Sequence, residues 1–187
     1  MPKEGKRLVI DANITCAASE RESIDARPKS CRDFLNNIVE ETKHIIVLTE
    51  AIRAEQHKHP SKFGEKWLRT MIAKKRVCWI DAPADEVLRR KVEQTATTPN
   101  RLIYIQEDIL LIEAALNADK IILSMDEEVK VCFHHAAQTV RILRDIGWIN
   151  PCRSDQTLDD AVIIWLQNGA EIEGKRLLGY RREDSAN

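Results

Sequence analysis

Four acidic side chains, distant from one another in the chain, occupy positions from which they could act together on a metal ion. They are Asp11, Glu55, Asp108 and Asp126. Asp11 and Asp126 follow short apolar runs of the kind that forms a buried strand. Glu55 lies in a helix that follows another such run, and Asp108 lies near the start of the helix that leads into the strand before Asp126. Because ligands of a parallel sheet collect outside the carboxyl ends of its strands, we expect the four carboxylates to converge at that edge.

Carboxylates gathered in this way would favour divalent cations. Like charges within a few ångströms repel one another, and at least one acid takes up a proton when no cation is present. Ligation by oxygen alone is typical of Mg²⁺ or Mn²⁺, and two such ions about 3.5–4 Å apart can assist hydrolysis of a phosphodiester. The alternative is that the acids are solvated side chains at strand ends, since the chain contains 30 Asp and Glu residues.

Short apolar strands that alternate with helices must position these acids. The strands are apolar throughout instead of alternating with polar residues, which indicates a parallel sheet covered on both faces. The sequence therefore predicts an α/β protein with a three-layer α/β/α architecture and a central parallel sheet. Strands are expected at 7–10, 44–48, 77–80 and 120–124, with a short fifth strand at 148–150.

Capping residues, proline and glycine predict where the helices begin and end. Ser30, with an acid three residues later, predicts a helix that starts with a capping box and runs to about Lys43. Thr49 predicts the N-cap of a second helix, and Pro83 suits the first turn of another. Further helices are expected to reach from 83 to about 97, over 105–117 after a polar loop at 97–100, from 126 to 146 before Gly147, and over 158–166.

Four short motifs occur in a fixed order that includes all four acids. They are LVIDAN at 8–13, VLTEAIRAEQ at 47–56, DILLIEAAL at 108–116 and KIILSMDEEV at 120–129. Together they resemble the motifs of PIN-domain ribonucleases, a fold found in many toxin–antitoxin toxins and RNA-processing nucleases. Asn13 and Val129 depart from the family pattern, which more often has Thr or Ser and an aromatic residue there. The resemblance implies a PIN-like nuclease domain over 1–151, with a C-terminal helical extension and basic tail at 152–187.

The resemblance also implies a role for each site residue. Asp11, Asp108 and Asp126 would be metal ligands, and Glu55 would orient the attacking water. Glu107 is the alternative to Asp108 as the third ligand, and Asp108 is preferred because it lies on one helix stripe with Ile112 and Ala115. Asn13, Ser124 and Glu128 would support the ligands from behind, as is common around metal sites. The competing interpretations are an exposed helix glutamate for Glu55, a charge at a helix N-terminus for Asp108, and local turns or caps for Asn13 and Ser124.

The stretch from 58 to 76 has seven basic residues and one acid. A basic helix beside an acidic cleft would hold the phosphate backbone of a nucleic acid without reading its bases. The alternative is a solvated helix face. The basic residues are Lys58, Lys62, Lys66, Arg69, Lys74, Lys75 and Arg76.

The expected function is a divalent-metal-dependent endoribonuclease that leaves 5′-phosphate and 3′-hydroxyl ends, as the resemblance implies. Two alternatives stay open: a non-catalytic PIN-like module for RNA binding or assembly, and a structure-specific deoxyribonuclease. The resemblance further implies an antitoxin or other complex partner, and a homodimer. Ile163, Ile164 and Trp165 in the last helix would contribute to the dimer, unless this helix packs on its own domain.

Composition limits the remaining classes. The chain has 187 residues and a formal net charge of −1, so a globally basic nucleic-acid binder is not indicated. No apolar run reaches the length of a membrane-spanning helix. The first residues lack the apolar stretch of a signal peptide, so we expect a cytoplasmic protein without a membrane partner.

Overall fold

Aliphatic strands form the centre of the fold, where both faces of the sheet are buried. Leu8 and Val9 of the first strand and Ile121 of the fourth are inaccessible to solvent. A computed structural model describes residues 5–19 and 25–181 and shows these runs as neighbouring strands. The strands are β1 (Arg7–Ile10), β2 (Ile45–Leu48), β3 (Val77–Trp79), β4 (Ile121–Leu123) and β5 (Gly147–Ile149).

The five strands form one parallel sheet with the order β3-β2-β1-β4-β5. After β1 the chain adds β2 and β3 on one side, and it then crosses over to add β4 and β5 on the other. The connections that follow β1 and β4 therefore run in opposite directions along the sheet. Parallel sheets open a ligand-binding crevice at such a switch point. Asp11 follows β1 and Asp126 follows β4, so this crevice lies between two of the predicted site residues.

Helices cover both faces of the sheet, which confirms the predicted three-layer α/β/α architecture. The α-helices within the described residues are α1 (Ala12–Ala17), α2 (Ala26–Glu41), α3 (Glu50–Lys58), α4 (Lys62–Ala73), α5 (Glu86–Glu93), α6 (Pro99–Leu116), α7 (Glu127–Ala137) and α8 (Asp160–Gln167). One group is centred on α2, which contacts α1, α4 and α8, and the other on α6, which contacts α5, α7, β1 and β4.

Two predicted helix starts are wrong because a nearby aspartate caps the helix instead. α2 begins after Asp25, whose side chain accepts a hydrogen bond from the N–H of Arg27, and Ser30 is buried inside the helix. The predicted capping box is therefore absent, and α2 ends at Glu41. α5 begins after Asp85, which accepts from two backbone N–H groups, and not at Pro83.

Three further differences concern short or polar segments. Thr98 caps α6 and Pro99 is its first residue, so the polar segment predicted as a loop is the first turn of a helix. α7 ends at Ala137, and a 3₁₀ turn at Arg141–Leu143 replaces the end of the predicted long helix. The six-residue helix α1 was not predicted, because it is too short to show an apolar period.

The segment after β5 packs against the sheet and the neighbouring helices. α8 contacts α2, and Trp165 is buried with its indole N–H donated to the Glu171 carbonyl, whereas Ile164 is 58% exposed. Leu177 forms an antiparallel bridge with Gly147 along the outer edge of β5. The end of the predicted basic tail, 182–187, lies outside the described residues. None of the helices in the described ranges has the length and apolar character needed to cross a membrane.

A buried ion pair fixes α5 to α6. The Glu113 side chain is only 4% exposed, and it accepts two hydrogen bonds from the Arg89 guanidinium, each 2.8 Å long. The same carboxylate accepts the backbone N–H of Asp85, the residue that caps α5. Both the position of α5 and its N-terminus therefore depend on this carboxylate.

We expect Arg89→Ala to lower the free energy of unfolding by about 3 kcal/mol, because Glu113 would stay buried without its counter-ion. Combining it with Glu113→Gln should recover part of the loss, because the buried charge is then gone. Chemical denaturation monitored by circular dichroism measures both effects, with Arg90→Ala on the exposed face of α5 as the control. An unchanged unfolding midpoint for Arg89→Ala would contradict this account.

Candidate metal and phosphodiester site

Asp11 joins the end of β1 to the short helix α1. Its side chain is the N-cap of α1 and accepts the N–H of Asn13 at 3.1 Å. The other carboxylate oxygen accepts the hydroxyl hydrogen of Ser124 at 2.7 Å. Asp11 as a whole is 9% exposed, so its carboxylate is held in one orientation inside the crevice.

Ser124 connects the ends of the two central strands. Its hydroxyl donates to Asp11 and accepts hydrogen bonds from the side-chain amide of Asn13 and from the backbone N–H of Asp126, each 3.1 Å long. The Asn13 carbonyl oxygen also accepts the N–H of Met125 at 3.4 Å. Ser124 is fully buried. The structure thus places Asn13 and Ser124 against the carboxylate that they were expected to support.

Asp126 and Asp108 approach Asp11 from two different helices. Asp126 is the N-cap of α7 and accepts the N–H of Val129 at 2.9 Å. Asp108 lies near the middle of α6, because this helix begins at Pro99 and not near residue 105. The alternative interpretation of Asp108 as a charge at a helix N-terminus is therefore wrong. At about 1.5 Å per residue α6 is much longer than the strands, so its middle can lie beside their ends.

The electrostatics of Asp108 show that the acids share one region. Burial and the negative charges of Asp11, Asp126, Glu107 and Glu55 raise the pKa of Asp108 to about 7. Burial also raises the pKa of Asp11, and the charges of Asp126 and Glu55 act in the same direction. Hydrogen bonds from Ser124 and Asn13 oppose this rise in the pKa of Asp11. Burial and the neighbouring negative charges therefore both disfavour the charged form of Asp108 near neutral pH.

An open cleft of about 290 Å³ gives access to four of these acids, and Asp126 is not among the residues that line it. Asp11, Glu55, Glu107 and Asp108 line it, together with Lys58 and the apolar side chains Ile52, Leu110 and Leu111. The Lys58 ammonium group lies 2.7 Å from a Glu55 carboxylate oxygen, which holds Glu55 at the α3 side of the cleft. Glu107 is exposed whereas Asp108 is half-buried, so of these two neighbours Asp108 lies deeper in the cleft.

The donor atoms in the crevice suit a hard divalent cation. Carboxylate oxygens surround it, and the surplus negative charge is what a cation would balance. In the described part of the chain, no group of three or more His, Cys, Asp or Glu side chains is close enough to form a preformed metal site. The acids therefore influence one another's charge without forming a ready set of metal ligands.

Two further polar residues lie on the turn between β4 and α7 and beside it: Glu128, which the sequence indicated, and Asn150, which it did not. Glu128 is exposed in the first turn of α7. Asn150, which the sequence analysis did not single out, donates to the Glu127 carboxylate at 3.0 Å and to the Met125 carbonyl at 3.4 Å. It therefore braces the turn between β4 and α7. A polar residue directly after β5 was the available signal, since β5 is the neighbour of β4.

The seven basic residues do not form one surface. Lys58 lines the acidic cleft, and Lys62 begins α4, but Lys74 and Lys75 follow the other end of this helix. That end leads into the start of β3, so it lies at the opposite edge of the sheet from the acids. Arg76 points inward and donates hydrogen bonds to the carbonyls of residues 38, 39 and 44, and this occupies its guanidinium in structural contacts.

Comparison with known proteins adds no assignment: no family model matches the sequence, and no curated protein matches it. The site itself must therefore support any statement about function.

The raised pKa of Asp108 predicts how metal-free stability depends on pH. Asp108 binds a proton up to about pH 7 in the folded state but only up to about pH 4 in the unfolded chain. Its contribution to folding is thus fully present below about pH 4 and is lost as the pH rises to about 7. In EDTA, we expect Asp108→Asn to unfold at a higher temperature than the wild type at pH 8, by roughly 3–10 °C, and to differ less at pH 5.

Thermal unfolding followed by circular dichroism tests this expectation, with Asp145→Asn at an exposed position as the matched control. Adding Mg²⁺ at pH 8 should raise the midpoint of the wild type more than that of Asp108→Asn, because bound ligand stabilises only the folded state. A midpoint for Asp108→Asn that is no higher than the wild-type value at pH 8 would show that Asp108 is not under electrostatic strain.

Proposed function

We propose that this protein is a divalent-metal-dependent endoribonuclease that hydrolyses RNA phosphodiesters at its carboxylate cluster. The observation that carries the proposal is the arrangement of three aspartates from separate elements around the switch point between β1 and β4. Asp11 and Asp108 line one cleft, and the Ser124 hydroxyl links the Asp11 carboxylate to the backbone N–H of Asp126. The order of the four sequence motifs supports the same assignment, because it resembles that of PIN-domain ribonucleases.

The proposed mechanism gives each side chain a distinct task. Asp11, Asp108 and Asp126 would hold Mg²⁺ or Mn²⁺, which when bound would polarise the phosphoryl group and make water a better nucleophile. Ser124 and Asn13 keep the Asp11 carboxylate in a fixed orientation through hydrogen bonds of 2.7 and 3.1 Å. Glu55, which Lys58 holds at the cleft wall, orients the attacking water.

Basic residues in the cleft wall and on α4 support a polyanionic substrate. Lys58 lies in the wall of the cleft, while Lys62, Lys66 and Arg69 follow one another along one face of α4 at helical spacing. Arg69 is paired with Glu65 at 3.6 Å, an exposed contact that a phosphate can replace. These four residues are the proposed contacts to the RNA backbone. A cytoplasmic location, and an antitoxin or a second copy of this chain as partner, belong to the same proposal.

A second candidate is a non-catalytic module that binds RNA or assembles with other proteins. The observation that favours it is that the described residues contain no preformed group of three metal-binding side chains. A structure-specific deoxyribonuclease is a third outcome of the same experiment, because carboxylates and metal act only on the phosphate.

Replacing either central aspartate should abolish activity while keeping the fold. We expect Asp11→Asn and Asp126→Asn each to reduce Mn²⁺-dependent cleavage of single-stranded RNA by about 100-fold or more, since each removes a charged ligand. Asparagine is suitable because it also caps helices, and each aspartate is an N-cap. Cleavage is followed by gel electrophoresis with end analysis of the products, on RNA and on DNA of the same sequence, with Asp145→Asn as the control.

Each outcome of this experiment decides between the candidates. Unchanged cleavage in both asparagine variants would refute the carboxylate site. A wild-type protein that binds RNA but cleaves neither nucleic acid would favour the binding module. Preferential cleavage of DNA would identify a deoxyribonuclease. Products without 5′-phosphate ends would contradict the proposed hydrolysis, in which the 3′-oxygen is the leaving group.

Ser124 offers a separate test of how Asp11 is positioned. We expect Ser124→Ala to raise the Mn²⁺ concentration for half-maximal cleavage by roughly 10–100-fold, because the hydrogen bond that orients Asp11 is lost. Ser124→Thr keeps the hydroxyl group and should retain most of the wild-type affinity for the metal. A Mn²⁺ titration of cleavage measures the effect, and circular dichroism checks the fold. Equal Mn²⁺ dependence in Ser124→Ala and wild type would show that the serine is only a structural residue.

A further inference from the structure

A second cleft lies on the other side of α3 from the acidic one. Its volume is about 890 Å³, which is within the range of roughly 300–1,000 Å³ that is typical of ligand pockets. One wall is α3, with Arg53 and His57, and the other is the segment from Trp79 to Pro83 that leaves the edge strand β3. None of these residues has a task in the proposed hydrolysis.

Trp79 is the unusual feature of this cleft. It is 59% exposed, whereas the other three tryptophans are 9% exposed or less. Two of those donate their indole N–H to a backbone carbonyl, Trp67 to Leu35 and Trp165 to Glu171. The Trp148 ring packs against Phe133. A large planar apolar side chain left open to water, beside a cleft, is suited to stacking on a planar partner.

Trp79 and the acids lie at the same edge of the sheet. Trp79 pairs in register with Leu48, and the next residue, Thr49, caps α3. α3 therefore separates the two clefts: it presents Glu55 and Lys58 to the acidic one, and Arg53 and His57 to the one beside Trp79. An α-helix with its side chains is about 10–12 Å across, a width that a flexible nucleotide chain can cross.

The second cleft is lined by both basic and acidic side chains, which suit different parts of a nucleotide. Arg53 and His57 line it from α3 and are suited to phosphates, and Arg53 has only a weak 3.4 Å contact with Gln56. Glu50 and Asp81 also line it, and these acids repel phosphate but can accept hydrogen bonds from the amino groups of bases. An aromatic surface with cations nearby is the combination that binds single-stranded nucleic acid.

We propose that the cleft between α3 and Trp79–Pro83 is a subsite for an unpaired nucleotide of the RNA, whose base stacks on the indole of Trp79. This inference rests on the proposed function for the identity of the ligand. Bases inside a duplex are not available for stacking, so the subsite selects single-stranded over double-stranded RNA. It also places an unpaired nucleotide across α3 from the acids.

Tryptophan fluorescence of the full-length protein tests the subsite without any cleavage. Because the other three tryptophans are buried, accessible emission comes from Trp79. In EDTA, a short unstructured RNA should quench this emission and protect it from acrylamide, and the same strand annealed to its complement should not. We expect Trp79→Ala to weaken binding of the single strand by roughly 5- to 100-fold, and Trp79→Phe to retain part of the affinity. Ile164→Ala, a change at a similarly exposed apolar residue on α8, is the matched control and should bind as the wild type does.

The outcomes separate this subsite from the hydrolytic function. Equal RNA affinity of Trp79→Ala and wild type, equal quenching by the duplex, or no binding at all would overturn the subsite, even where Mn²⁺-dependent cleavage is present. Unchanged RNA binding together with loss of self-association in Trp79→Ala would assign the surface to a second copy of this chain and likewise overturn it. Quenching that depends on Trp79 in a protein that cleaves nothing would retain the subsite and refute the hydrolysis.

Discussion

The site depends on the hydrogen bond from Ser124 to Asp11, which joins the ends of β4 and β1, the two strands on either side of the switch point. This bond is 2.7 Å long and fully shielded from solvent on the serine side. The bond opposes the rise in the pKa of Asp11 that burial causes, and the same hydroxyl accepts the backbone N–H of Asp126 at the turn to α7. Because Asp11 and Asp126 are both helix N-caps, the backbone N–H groups of α1 and α7 fix the two acids independently of any metal.

Asp108 has no such anchor among the hydrogen bonds of the site. It enters the crevice from the middle of α6, where burial and the neighbouring acids together disfavour its charged form. The charge state of a carboxyl group in this position depends on nearby positive charge, because either a proton or a divalent cation can neutralise the carboxylate. The arrangement therefore combines two rigid acids with one whose state depends on the occupant of the crevice.

The sequence was sufficient to predict the parts of this arrangement that depend on periodicity. Apolar runs located all five strands, and the stripe of Asp108 with Ile112 and Ala115 distinguished the half-buried Asp108 from the exposed Glu107. Helix ends were predicted less well: helices were expected to start at Ser30 and at Pro83, whereas Asp25 and Asp85 cap α2 and α5 in the structure. α1 has too few residues to show a period.

The side chains that the sequence misrepresented are those whose direction depends on tertiary packing. Arg76 is one of a run of basic residues, yet it turns inward to three backbone carbonyls that the end of α2 and the start of β2 leave available. Trp79 stands in the apolar run 77–80, which resembles a core strand, but β3 is the last strand of the sheet and one of its sides is open. Charge and hydropathy do not reveal the directions of these two side chains, because the directions depend on how the strands and helices are arranged in the fold.

The two edge strands of the sheet are covered to different extents, and this affects how copies of the chain could pair. The edge at β5 is covered by two contacts: Leu177 forms an antiparallel bridge with Gly147, and the Leu178 N–H donates a 2.8 Å hydrogen bond to the Ile146 carbonyl. At the other edge, in the described ranges, β3 pairs with β2 alone. Growth of a fibre by edge-to-edge strand pairing needs two open sheet edges on every copy of the chain. A copy with one open edge can pair with only one other copy, so pairing of this kind would stop at two copies.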